Sequence, residues 1–173
     1  KWLIEEKNGK GNIVELTGTS GSSVAMDRHK GFADTIKDNA PEMKIIASQN
    51  GDFARANGQK VMENLLQSNG DEIDIVYAHN DEMAIGAINA IKSAGKVPGK
   101  DIIVVSVDGT KDGLQAIIDG EIGATVESTP FFGPQVFDVI GNLENGEDVP
   151  TEIIMEDRFF DKNNAKEFVN EAY

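Results

Sequence analysis

Short apolar runs alternate with stretches of helical period, and this alternation limits the chain to very few folds. The runs are "NIVEL" (12–16), "KIIAS" (44–48), "IDIVYA" (73–78), "DIIVVSV" (101–107) and "GATVES" (123–128). Several are β-branched and apolar throughout, as parallel strands covered on both faces must be. Between them Ser23–Asp38, Phe53–Ser68, Asp81–Ala94 and Lys111–Asp119 carry apolar residues at helical spacing. Gly95 and Gly120 follow the last two as helix stops. Each strand-plus-helix unit takes about 30 residues, the length of a βαβ repeat. Right-handed crossovers then predict an α/β fold: a doubly wound parallel sheet with helices on both faces. Trp2–Lys7 reads as the tail of a helix whose strand lies outside the sequence.

The rhythm breaks after Ser128. "TPFFGP" (129–134) holds two prolines and a glycine and reads as a crossover or hinge. A helical stretch (135–143), "ENGEDVP", a strand-like "EIIMEDRFF" (152–160) and a last helix (164–172) follow. The expected division is therefore a lobe over 1–128, then a crossover and tail over 129–173 that returns to a lobe absent from this sequence. The sequence begins at Lys1 with no signal peptide, and we read it as a processed or truncated piece of something longer.

Charge and composition exclude several functions. The net charge of −14 repels phosphate backbones, so nucleic acid and anionic membranes are poor partners. Without cysteine there is no disulfide, thiolate metal site or thiol nucleophile. No apolar run is long enough to insert in a membrane.

In an open α/β sheet, ligands sit beyond the carboxyl ends of the strands. The polar residues expected there follow each strand in turn. "TGTSGSS" (17–23) is neither a P-loop nor GxGxxG; it is a tight turn with Ser22 or Ser23 as helix cap, or a backbone that touches ligand. Arg28, near the inward stripe of the next helix, is a structural ion pair or a fork of donors aimed into a cleft. Phe53 is a hydrophobic staple or a ring that stacks on an apolar ligand face. In "AHNDEMAIGA" (78–87), Asp81 and Glu82 start a helix favourably with its dipole, and His79, without a nearby second histidine, is structural rather than a metal ligand. Asn80 caps that helix or uses its amide as donor and acceptor toward a hydroxyl. Asp108, before Gly109, forms an Asx turn or accepts from two neighbouring hydroxyls; without an accompanying acidic triad it is a weak phosphoacceptor.

Arg28, Phe53, Asn80 and Asp108 come from four consecutive units and are expected on one rim. No base–nucleophile pair, metal constellation or cofactor motif accompanies them, so no enzyme, metal or cofactor is expected. A planar donor, an amide, a carboxylate and an aromatic plate suit a polyol, whose hydroxyls each donate and accept.

"GSSVAMDRHKGF", "SQNGDFARANGQKVMENLL", "AHNDEMAIGAINAIKSAGK" and "VVSVDGTKDGLQAIIDG" closely resemble the ribose/galactose class of periplasmic sugar-binding proteins, the soluble receptors of ABC importers. "VYAHNDEMAIGAI", "GKDIIVVSVDG" and "VESTPFFGP" look most like the galactofuranose-binding branch. The resemblance implies one lobe of a two-lobe type I periplasmic-binding-protein fold, with a monosaccharide held between lobes by hinge closure. It implies a periplasmic location, a membrane permease as partner, and a first lobe not included here. It carries the family's arginine, cleft phenylalanine, asparagine and aspartate onto Arg28, Phe53, Asn80 and Asp108. One departure stands out: ribose binders have a hinge glutamine where this chain has Ser128, beside Glu127. The implied sugar is a pentose or hexose, with a furanose among the forms the resemblance implies. Alternatives are the effector domain of a LacI-type sugar-responsive repressor, a small doubly wound enzyme, or a binding protein that faces a chemoreceptor.

Overall fold

A computed structural model describes all residues, 1–173. Five parallel strands form the sheet: β1 (Lys10–Thr17), β2 (Glu42–Asn50), β3 (Ile75–Ala78), β4 (Ile103–Asp108) and β5 (Ala124–Glu127). A short β6 (Phe159–Asp161) closes one edge antiparallel to β5, and the strand order is β2-β1-β3-β4-β5-β6. The helices are α1 (Trp2–Glu6), α2 (Ser23–Asn39), α3 (Arg55–Asn69), α4 (Asp81–Ser93), α5 (Lys111–Ile118), α6 (Gly133–Glu144) and α7 (Ala165–Phe168).

From β1 the chain steps outward to β2, then returns to β3 on the other side of β1. This reversal is the point at which open α/β sheets form a crevice. It also places α2 on one face of the sheet and α3, α4 and α5 on the other. Alternation along the strands sorts the core accordingly. Val14, Leu16, Val76, Ala78 and Val104 join Met62, Leu65, Met83, Ile88 and Leu114 in the larger cluster. Ile13, Ile75, Tyr77 and Val105 join Leu3 and Ile36 in the smaller one. α4 buries the most of any helix, and α3 lies close against it. A Cβ at Gly86 would come 2.1 Å from the Arg55 carbonyl oxygen, so only glycine permits that approach.

The structure differs from the sequence expectations in the bounds of three elements. The helix expected from Phe53 begins at Arg55, because Asp52 (φ 55°) and Phe53 (φ 57°) occupy the left-handed region and interrupt the helical path. The strand expected over 152–160 pairs only at Phe159 and Phe160, continuing to Asp161; residues 152–157 have no neighbouring strand, and Ile154 is 82% exposed. The last helix is one turn long, after which the chain bends so that Lys111 N–H donates to the Tyr173 carbonyl at 2.8 Å.

The tail from Phe159 onward packs on this lobe, whereas the sequence reading has 129–173 as a crossover and tail that returns to an absent first lobe. Phe160 and Ala165 are buried in the larger cluster. Residues 129–157 behave differently: α6 buries no residue, and Phe131, Phe132, Val136, Phe137, Ile140 and Leu143 are all exposed.

Candidate functional site

Each of the four rim residues sits where a strand or the loop after it feeds the next helix. Ser22 caps α2, its hydroxyl accepting from Ala25 N–H at 3.1 Å, and this starts the helix so that Arg28 falls on its second turn. Arg28 reaches across the sheet ends. Its guanidinium donates to Asp108 Oδ1 at 2.9 Å and to the His79 carbonyl, and its Cζ lies 5.8 Å from the Phe53 ring centre. Both members of the Arg28–Asp108 pair are largely sheltered, with side chains 17% and 20% exposed, so the pair is neither a free surface bridge nor fully desolvated.

Asn80 caps α4 through Oδ1, which accepts from Met83 N–H at 3.0 Å, while its Nδ2 donates to the Phe53 carbonyl at 3.1 Å. It therefore ties the loop carrying Phe53 to the start of α4. Asp108 ends β4 with φ 126°, a strained conformation for a side-chain-bearing residue. Burial pushes its carboxyl up to about 6; Arg28 pulls it down, and the Asp81 and Glu82 charges add to the rise. The structure thus brings Arg28, Phe53, Asn80 and Asp108 together on one edge, linked by an ion pair, a cation–π contact and a side-chain-to-backbone hydrogen bond.

Two carboxylates read from sequence as helix starters do more than that. Asp81 is fully buried and accepts from Ser106 Oγ (2.6 Å), Thr125 Oγ1 (2.8 Å), and Thr110 N–H (2.7 Å) and Oγ1 (3.0 Å). It binds the ends of β4 and β5 and the start of α5 to α4. Burial raises its carboxyl, and these donors oppose the rise. Glu82 takes a two-pronged ion pair from Arg55 at 2.9 and 2.6 Å, and Arg55 also reaches Asp112 at 2.7 Å. His79 is buried and pairs with Glu15, a structural placement as expected.

At the start of the crossover, Glu127 receives Arg158 Nε at 2.8 Å and Nη2 at 2.7 Å, while the Arg158 guanidinium lies over the Phe168 and Phe160 rings at 4.8 and 5.2 Å. Arg158 holds the Glu127 carboxyl below the usual range. Tyr173 donates its hydroxyl toward the carbonyls of Asp108 (3.3 Å) and Ser128 (3.2 Å). Burial and the Asp108 charge push its phenol up to about 12, so it stays a donor. Arg158 and Tyr173 carry no local sequence signal; only the return of the tail to the sheet brings them here.

The doubly wound sheet, with donor, acceptor, amide and ring side by side at its strand ends, has the architecture of one lobe of a type I periplasmic binding protein. The chain belongs to the periplasmic binding proteins: the model of the periplasmic binding protein domain matches residues 1–148. The galactofuranose-binding protein YtfQ of Escherichia coli is 51% identical over 157 residues, which are 89% of this chain and 49% of that protein. The ribose import binding protein RbsB of E. coli is 42% identical over 73% of this chain and 41% of its own length. Among solved structures, a galactofuranose binding protein superposes with TM-score 0.93 at 47% identity, over 99% of this chain and 59% of that one. The periplasmic binding component of the arabinose ABC transporter from Shewanella sp. ANA-3, bound to α- and β-L-arabinofuranose, superposes at 0.92 with 42% identity, over 98% of this chain and 57% of that one. This chain thus spans about half the length of the relatives it matches. All of these relatives are binding proteins, which does not favour the repressor alternative or an enzyme.

Proposed function

We propose that the intact protein is the periplasmic sugar receptor of an ABC importer, and that this chain is the second lobe of its two-lobe clamp. The observation that carries the reading is the sheltered Arg28–Asp108 pair, flanked by Asn80 and Phe53 on one strand-end rim. Arg28 offers N–H donors to sugar oxygens and Asp108 accepts from neighbouring hydroxyls. Asn80 has an unused amide hydrogen and a second carbonyl lone pair, and the Phe53 ring stacks on the C–H face. These groups bind and orient; none is placed as a base beside a nucleophile, and the protein acts without turnover. The ligand is a monosaccharide, and the three relatives above whose descriptions carry a furanose support that ring form.

Residues 129–157 are the part that engages the first lobe. The exposed apolar side of α6 supplies the contact, and Ser128 and Glu127 begin the hinge. Closure of the first lobe over the rim excludes water and strengthens each charge-assisted bond. The closed receptor then meets the membrane permease. Calorimetric titration of the full-length protein with D-galactose, L-arabinose and D-ribose tests this reading. Binding of one of them at micromolar Kd or tighter, about −8 kcal/mol or better, is expected; no heat with any of them at millimolar sugar contradicts it.

A further inference from the structure

Beneath the rim lies a set of polar side chains that the sugar grip does not use. Glu15 is the one acid inside β1, fully buried on the α2 face of the sheet with Ile13. Its carboxylate meets His79 Nε2 at 3.0 Å and His29 Nδ1 at 2.9 Å, and accepts from Ser48 Oγ at 2.8 Å. Burial alone would raise its carboxyl, but the bonds from His79, His29 and Ser48 outweigh burial and hold it below its ordinary value. A carboxylate offers only lone pairs, so the hydrogen between Glu15 and His79 belongs to Nε2. His79 Nδ1 is left with a lone pair, and it accepts from Gly18 N–H at 3.2 Å. Glu15 therefore sets the tautomer that lets His79 hold Gly18.

Gly18 in turn carries the ring of Phe53. A Cβ built on Gly18 would lie 1.9 Å from Phe53 Cζ, with Cε2 and Cε1 at 2.2 and 2.4 Å. The tip of the ring occupies the space a side chain of residue 18 would need. Gly18 is not among the glycines with positive φ, so what the position requires is room rather than backbone freedom. The carbonyl of the same His79 receives Arg28, and the next residue is Asn80. One buried imidazole thus contacts the seat of the ring directly and the guanidinium through its backbone.

We infer that Gly18, held from below by His79 and Glu15, is a positioning residue that sets the height of the Phe53 ring against the sugar. This rests on the reading that the rim binds a sugar. Phe53 presents its ring at a fixed level only while residue 18 has no side chain and its N–H is anchored.

The test uses the full-length protein, titrated with D-galactose and L-arabinose. Gly18→Ala is expected to weaken binding about tenfold, the value of one well-placed aromatic contact, with the melting temperature of the sugar-free protein essentially unchanged. In a Phe53→Ala background the same substitution is expected to have no further effect. An unchanged affinity in Gly18→Ala, or an equal loss with and without the ring, overturns the inference. Ring nitrogen shifts of His79 in the ¹⁵N-labelled wild type give a readout independent of the variants. A hydrogen on Nε2 alone supports the anchoring of Gly18, and a hydrogen on Nδ1 refutes it. If the wild type binds neither of these sugars nor D-ribose, the receptor reading falls and this inference with it. If the wild type binds and Phe53→Ala weakens it while Gly18→Ala does not, only the inference falls.

Discussion

The strand-end rim and the α6 segment both display aromatic and apolar side chains at the edge of the same lobe, but they are held in opposite ways. At the rim, Arg28, Asn80 and Asp108 have partners inside the lobe, and no buried side-chain nitrogen or oxygen anywhere in the chain lacks one. Asp81, Glu82 and Glu15 lie behind them in a second row of bonds. On α6, Phe137 is 73% exposed and no residue of the helix is buried. The rim is preorganised by its own lobe, so a ligand bound there would cost little ordering. α6 is an amphipathic helix whose apolar side has no partner in this lobe, and large exposed apolar patches mark contact surfaces. On the proposed reading the two regions have separate tasks: one grips, the other joins.

The largest expected effect that would sharpen this contrast comes from the row behind the rim. Asp81→Ala leaves four donors, the hydroxyls of Ser106, Thr125 and Thr110 and the Thr110 N–H, without their acceptor and is expected to destabilise the lobe by about 4 kcal/mol. Urea denaturation would show it as a drop in midpoint at constant slope. Less than 1 kcal/mol would mean that the rim does not depend on its buried row.

Next comes the grip itself. Asp108→Ala in the full-length protein is expected to cost about 2–4 kcal/mol of sugar affinity, the range for breaking a sheltered charged hydrogen bond. Titration calorimetry measures it, and an unchanged Kd removes Asp108 from the site.

A smaller effect follows from pH. The Asp108 carboxyl titrates at about 6 in the folded chain against ~3.9 in an unfolded one. Between those values the folded state holds more protons, so this group's contribution to stability falls as pH rises through the window. Glu15 and Glu127, both held below their ordinary values, act in the opposite direction at lower pH. The difference between wild type and Asp108→Asn isolates the aspartate. Stability of the wild type relative to Asp108→Asn is expected to decline from about pH 4 to pH 6 and then level off. A flat difference curve breaks the assignment of the raised carboxyl to Asp108.

The smallest effect on stability is expected on α6. Phe137→Ser should change the stability of this 173-residue chain by about 0.5 kcal/mol or less, because the ring already faces solvent. In the full-length protein the same change should lower the melting temperature clearly, since on the proposed reading the first lobe covers the ring there. Equal, small effects in both would show that α6 does not join the lobes.

The strands and most helices were legible because their apolar periodicity reports burial locally. The rim was legible because the strand ends of a doubly wound sheet face one crevice, so Arg28, Phe53, Asn80 and Asp108 could be grouped before any distance was known. Asp81 was read only as a helix starter. Its partners Ser106, Thr110 and Thr125 lie 25, 29 and 44 residues away, and strand register alone brings them together. "EIIMEDRFF" carries the composition of a strand, but pairing needs a neighbour, and only its final residues reach β5. The Arg158–Glu127 clamp was hidden for the same reason: it exists only because the tail returns to the edge of the sheet.

A crystal structure of the full-length protein with the sugar that binds it most tightly tests the central claim most directly. The account predicts hydroxyls within about 3 Å of Arg28, Asn80 and Asp108, with the Phe53 ring under the C–H face of the sugar. A sugar bound elsewhere, with the Arg28–Asp108 pair untouched, would contradict it.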